Sequence, residues 1–181
     1  MSLKNLFRPG ALALSLALLA STSVSLAAMD ELYSESVWKF NAGEEFSGAS
    51  GNLDVSSDAL TLSYDFSDGG KYVSADVRYE LTPADKELRF KVNADRPLRI
   101  AVRFIDSTGQ TFQHTKPYIS ANQTQQYRFD LEKIAEVKSW GGSKDGKVHY
   151  PVKVLRICVN APSYEYARNG SVTFTDVEIN R

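Results

Sequence analysis

The chain is poor in the residues that usually advertise chemistry: one cysteine, two histidines and two tryptophans among 181 residues. A lone Cys158 excludes any intrachain disulfide, so packing alone must hold the fold. It also leaves the thiol without a partner for metal binding or redox exchange, and its plainest reading is a small side chain within a sheet. His114 and His149 belong to no HExxH sequence, and there is no paired CxxC, no GxSxG and no phosphate-cradling glycine loop. The common metallohydrolase, triad and nucleotide-binding signatures are therefore absent. Two acids drawn from separate strands would leave no such trace, because a glycosidase needs only a set spacing between them. Most of the 22 acids are expected on solvated surface.

Charge of one sign is lacking as well. Lysine and arginine number 21 against the 22 acids, for a net charge of −1. No basic stripe is present to neutralise phosphates, which argues against nucleic acid as a partner. Long apolar runs are confined to the N-terminus. There a basic start (Lys4, Arg8), an apolar stretch from Ala11 to Ala20 and the small-residue segment Ser25-Leu26-Ala27-Ala28 form the three parts of an export signal. The stretch is about half of the ~20 residues that span a bilayer, so it reads as a signal peptide over 1–28 and not as an anchor. Cleavage after Ala27 or Ala28 fits the small residues, and no cysteine stands there to carry a lipid. These features predict a periplasmic or secreted protein with no transmembrane segment. A short extension over 29–36 would precede one domain over 37–181, long enough to bury a core without staples.

What is abundant is alternation. From Val37 onward, short runs of apolar and polar residues in turn are separated by Gly, Asp, Asn, Ser and Pro, which is the period-2 pattern of half-buried strands. The runs cover 37–40, 52–56, 59–66, 71–81, 87–93, 99–106, 111–115, 125–130, 152–160 and 171–179. Ser67-Asp68-Gly69-Gly70 reads as the turn of a hairpin joining 59–66 to 71–81. Asn169-Gly170 reads as a second turn, 139–150 as a loop, and Leu131 to Val137 as the one stretch with helical spacing. Many short strands with almost no helix predict an all-β fold, a two-sheet antiparallel β-sandwich of the jelly-roll kind, with an up-and-down barrel as the alternative.

Parity along the strands then sorts the polar residues. Ile100, Val102 and Phe104 face one way and Arg103 the other; Leu155, Ile157 and Val159 face in, leaving Arg156, Cys158 and Asn160 opposite; Phe112 faces in and Gln113 out. If these strands are neighbours, one sheet presents Arg103, Gln113, Arg156 and Asn160 together. Planar guanidinium and amide groups on a rigid sheet suit sugar hydroxyls, which need donors and acceptors in fixed places. The bland reading is a solvated face with each Arg paired to an acid. Trp140, with Tyr150, Tyr164 and Tyr166 in nearby loops, offers flat platforms for the C–H faces of a sugar ring, or else plugs the end of the sandwich. Trp38 reads as packing. Asp176 in the last strand and Glu44 and Glu45 after the first would meet if the terminal strands pair, giving oxygens for a structural Ca²⁺, although no short loop with ligand spacing is present.

Three stretches add a resemblance. The run Trp38-Lys39-Phe40-Asn41-Ala42-Gly43-Glu44-Glu45-Phe46-Ser47-Gly48-Ala49, then Leu62-Ser63-Tyr64-Asp65-Phe66 with Gly69-Gly70-Lys71-Tyr72-Val73, and Arg103-Phe104-Ile105-Asp106-Ser107-Thr108-Gly109-Gln110 resemble the galactose-binding-like β-sandwich modules that accompany bacterial glycoside hydrolases. The closing Gly170 to Ile179 is similar to the last strand of many carbohydrate-binding modules. The resemblance implies a noncatalytic sugar-binding role, a ligand on the concave sheet or the end loops, and often a Ca²⁺ near the terminal strands, for which only Asp176 carries over. It also implies a polysaccharide or oligosaccharide as partner, and a glycoside hydrolase or envelope protein beside it; the chain departs from the family's pattern in carrying no attached catalytic domain and is expected to be a free-standing module. Two readings from other classes stand beside it: a small polysaccharide lyase or hydrolase on the same sandwich, and an envelope assembly protein that binds through a sheet face or edge.

Overall fold

The computed structural model describes residues 37–181; the expected export signal (1–28) and extension (29–36) lie outside the described residues. Eleven strands follow in order: β1 Trp38–Asn41, β2 Ser50–Val55, β3 Ala59–Asp65, β4 Tyr72–Val77, β5 Glu87–Ala94, β6 Leu98–Ile105, β7 Thr111–Ile119, β8 Gln125–Asp130, β9 Lys138–Trp140, β10 Val154–Asn160 and β11 Asn169–Asn180. They form two antiparallel sheets. One has six strands in the order β1-β4-β10-β6-β7-β9, the other five in the order β2-β3-β11-β5-β8. This is the expected jelly-roll sandwich. Among the described residues no helix is long and apolar enough to cross a membrane.

Alternation decides which face of each strand is buried. Leu60, Leu62 and Tyr64 of β3, Leu88, Phe90 and Val92 of β5, and Ile100, Val102 and Phe104 of β6 all enter one core between the sheets. Aromatic rings tie its middle: Phe90 stacks on Phe129 at 5.8 Å and meets Phe174 edge-on at 5.6 Å. His114, on the inward face of β7, stands edge-on to Phe104 and Phe129, each at 5.8 Å. Trp38 is buried in the same core, as packing.

Four local expectations are corrected. The stretches 59–66 and 71–81 do not form a hairpin: β3 pairs with β2 and β11, whereas β4 pairs with β1 and β10. The turn between them carries the chain from one sheet to the other. Gly69 and Gly70 have φ of +118° and +83°, and Gly70 lies so close to the chain at Ala49 that a Cβ there would stand 2.5 Å from the Ala49 Cβ. Alternation is identical for a hairpin and a crossover, so the sequence pattern cannot separate them.

The terminal strands do not pair either, because β1 joins the six-stranded sheet and β11 the five-stranded one. Asn169-Gly170 begins β11 and makes no turn; Gly170 sits opposite Tyr64 of β3. Among the described residues helical turns are two and not one, both of the 3-10 type: Leu131–Glu136, capped by the Asp130 carboxylate accepting from the Glu132 amide at 3.0 Å, and Glu165–Ala167.

The last strand also breaks its own alternation. Val172 and Phe174 point inward, and strict parity would drive Asp176 into the core. A bulge between Thr175 and Glu178, with Asp176 at φ +50°, turns that carboxylate out and puts Val177 inside.

Candidate functional site

The outer face of the six-stranded sheet carries a continuous polar row. Backbone pairing sets Lys39 of β1 opposite Asp76 of β4, Asp76 opposite Arg156 of β10, Arg156 opposite Arg103 of β6, Arg103 opposite Gln113 of β7, and Gln113 opposite Lys138 of β9. Each of these side chains points away from the core because its neighbours in sequence, such as Val102 and Phe104 or Leu155 and Ile157, point into it.

The next row along the sheet is made of small residues. Ser74, Cys158, Ala101 and Thr115 stand opposite one another on β4, β10, β6 and β7. They leave a trough, and the Tyr72 side chain packs over it. Tyr72, Ala101 and Cys158 make a small apolar cluster apart from the main core, with the tyrosine only 2% exposed. Burial raises the Tyr72 phenol to about 12, and its hydrogen bond to Glu45 acts in the same direction. Burial likewise pushes the Cys158 thiol up to about 12, so it stays protonated and inert.

Two guanidiniums flank this ring, and they differ in their company. Arg156 donates from Nε to Asp76 Oδ1 at 2.9 Å and from Nη2 to Asp76 Oδ2 at 2.7 Å, a bidentate pair, and from Nη1 to the Tyr72 hydroxyl at 3.2 Å. Asp76 is held in place by the Ser74 hydroxyl at 2.7 Å and the Asn41 amide at 3.1 Å. Tyr72 in turn donates to Glu45 Oε1 at 2.5 Å. That bond, with Arg156 and Arg103 nearby, holds the Glu45 carboxyl below its ordinary range against the opposing pull of burial. Arg103 stacks on the Tyr72 ring, 4.2 Å from its centroid, with Trp140 at 5.6 Å. Its Nε donates to Gln113 Oε1 at 2.7 Å.

Glu45, Tyr72 and the two guanidiniums line a depression of about 700 Å³ that contains all five residues singled out as ligand-binding from the sequence: Arg103, Gln113, Trp140, Arg156 and Asn160. Trp140 belongs to the edge strand β9 and not to a loop, and is 40% exposed. The turn after β6 and the segment that follows this strand are tied together by a carboxylate hub. Asp106, 2% exposed, accepts from the Thr108 amide (2.9 Å), the Thr108 hydroxyl (2.7 Å), the Gln110 amide (2.9 Å) and the His149 amide (3.0 Å). Burial alone would raise this carboxyl; the four bonds bring it below its ordinary value. They lock the turn after β6 against the segment that follows β9.

The tyrosines grouped with Trp140 from the sequence lie elsewhere. Tyr150 has Lys86, Asp85 and Glu132 as its charged neighbours. Tyr164 and Tyr166 stack on each other at 5.7 Å and stand within electrostatic reach of Tyr118. Asn160 lines both this end of the sheet, beside Arg99 and Tyr118, and the central depression.

Asp176, in β11 of the five-stranded sheet, pairs with Lys91 Nζ at 2.7 Å, whereas Glu44 and Glu45 lie in the loop after β1 and Glu45 lines the depression on the six-stranded sheet, so the expected meeting of terminal acids does not occur. Among the described residues no three His, Cys, Asp or Glu side chains cluster as a metal site. Sequence parity missed Tyr72, Glu45, Phe46, Lys71, Asp76 and Lys138. Tyr72 and Asp76 occupy outward positions of β4 and carried that much signal; the others depend on strand order and loop course.

No protein-family model and no curated protein matches the chain by sequence. Solved structures share its fold. A family 11 carbohydrate-binding module from Clostridium thermocellum, in complex with a β-1,3-1,4-mixed-linked tetrasaccharide, is similar at a TM-score of 0.57 and 10% identity over 83% of this chain and 92% of that one. The N-terminal cellulose-binding domain of Cellulomonas fimi β-1,4-glucanase C is similar at 0.50 and 15% identity over 84% and 91%. An agarase is similar at 0.50 and 10% identity over 76% of this chain, which spans only 22% of the agarase. The β-sandwich architecture is thus shared with these two modules and with part of an agarase.

Proposed function

We propose that the chain is a noncatalytic carbohydrate-binding protein that holds an oligosaccharide or polysaccharide on the outer face of the six-stranded sheet, and that it is exported to the periplasm or beyond. The observation that carries this reading is the floor around Arg103: a buried tyrosine, a half-exposed tryptophan and fixed guanidinium and amide donors in one open depression. Sugars present both an apolar C–H face and a ring of hydroxyls, and they need such a mixture.

The floor is also stiff. Arg156 is locked by Asp76 and Tyr72 by Glu45, so little side-chain freedom is lost on binding. Glu45, its carboxyl held below the ordinary range, is poorly suited to donate a proton, and Asp76 is taken up in structure by three donors. The ligand lies on an open surface, and each of its hydrogen bonds replaces one to water, so dissociation constants of about 10 μM to 1 mM are expected. Isothermal titration with a panel of soluble glycans tests the reading. Trp140→Ala and Arg103→Ala should each weaken binding about tenfold or more. Absence of binding to every glycan at millimolar concentration, or unchanged binding in both variants, would overturn it.

A further inference from the structure

We infer that the sugar bound at this site carries an oxyanion, a uronate carboxylate or a sulfate ester, and that Arg103 with Lys71 and Lys138 receives it; this rests on the carbohydrate-binding reading and narrows its ligand class. The chain as a whole has a net charge of −1, yet the depression gathers Lys71, Arg103, Lys138 and Arg156 around a single lining acid, Glu45. Even with Asp76 counted beneath Arg156, the cations outnumber the carboxylates by four to two.

The excess sits on particular groups. Arg156 is neutralised by its bidentate partner. Arg103 stands directly across the strand pair from it, an arrangement of like charges that destabilises a sheet. No described carboxylate pairs with Arg103 directly: it donates to the neutral Gln113 and lies against two aromatic faces, and the one lining acid within electrostatic reach, Glu45, is engaged by Tyr72. With Nε occupied and one face of the guanidinium laid on Tyr72, its terminal donors remain to form the planar fork that grips a carboxylate or sulfate through two parallel bonds. Lys71 and Lys138 repeat the pattern on either side. The first lies 4.0 Å from the Phe46 ring centroid and the second 6.0 Å from that of Trp140, and neither makes a carboxylate contact among the described residues. A site for neutral sugars gains nothing from three cations that lack a direct carboxylate partner. One for an acidic glycan uses each of them, with the ring of the sugar against Trp140.

Pairs of glycans that differ only in charge test this on the full chain by isothermal titration. Polygalacturonate against its methyl ester probes the carboxylate, and dextran sulfate against dextran probes the sulfate. The charged member of at least one pair should bind about tenfold tighter or more, and its affinity should fall steeply between about 50 and about 500 mM sodium chloride. Arg103→Gln should remove most of that preference, whereas Lys133→Gln, a charge change outside the depression, should not. Circular dichroism verifies that both variants are folded. Which pair responds tells carboxylate from sulfate. Equal, salt-insensitive binding of charged and neutral members would overturn the inference and leave the carbohydrate reading standing; equal losses in the two variants would reduce the preference to general charge and overturn it too. Absence of binding to any member, and to neutral β-glucans, would end both.

Discussion

Asp106 offers a quantitative test of how the turn after β6 is joined to the segment that follows the Trp140 strand. Its carboxylate is almost fully buried and takes four hydrogen bonds, three of them from backbone amides on two separate segments. Asp106→Ala strips the acceptor from all three amides. A buried donor left unsatisfied costs about 1 to 3 kcal/mol, and partial opening of the two segments to water relieves some of that, so a loss of about 3 to 5 kcal/mol is expected. Asp106→Asn retains one oxygen for Thr108 and Gln110 but turns an NH₂ toward the His149 amide, for about 2 to 3 kcal/mol.

Urea unfolding followed by tryptophan fluorescence measures both variants. The sign with pH is fixed by the direction of the carboxyl shift. Asp106 lies below its ordinary 3.8 in the folded chain, so its contribution is fully present above that value and lost as pH falls through the lower, folded one. The gap between wild type and Asp106→Asn should therefore narrow progressively below about pH 4. A loss under about 1 kcal/mol for Asp106→Ala, or a gap indifferent to pH, would refute the hub.

Three further outcomes follow from the packing. Phe174→Ala, at the centre of the Phe90 cluster and fully buried, should lower stability by about 3 to 5 kcal/mol in the same unfolding assay. Gly70→Ala places a methyl group 2.5 Å from the Ala49 Cβ at φ +83°; strain and crowding together should cost about 2 to 4 kcal/mol, measured as a fall in the urea midpoint at constant slope. Cys158, fully buried with its thiol raised to about 12, should resist Ellman's reagent in the native protein and release one thiol equivalent per chain only in denaturant.

Period-2 alternation was enough to assign the inward faces of β3, β5, β6 and β10, because burial at every second position is what holds those strands in the sandwich. It could not show which strands lie side by side. The supposed hairpin through Gly69 and Gly70 and the supposed meeting of β1 with β11 both failed for that reason: pairing is a long-range choice, and a crossover presents the same local pattern as a hairpin. The face of Asp176 shows a second limit of alternation. A bulge adds one residue to a strand and reverses parity beyond it, and nothing in Phe174-Thr175-Asp176-Val177 marks the extra residue except that an uncompensated carboxylate would otherwise be buried.

The same logic explains why the site was half legible. Parity alone put Arg103, Gln113, Arg156 and Asn160 on outward faces, and the order β10-β6-β7 then made neighbours of them. Tyr72 required more. Its own row holds Asn160 and Arg99, and its ring meets Arg103 only because the intervening residues on three adjacent strands, Ser74, Cys158 and Ala101, are small. A bulky side chain at any of these positions would fill the trough, displace the ring and remove the surface on which Arg103 lies. The lone cysteine, which on composition looked like an absence of chemistry, thus has a structural part in the site: a small, uncharged floor that lets an aromatic ring lie under a guanidinium and hold its fork toward solvent.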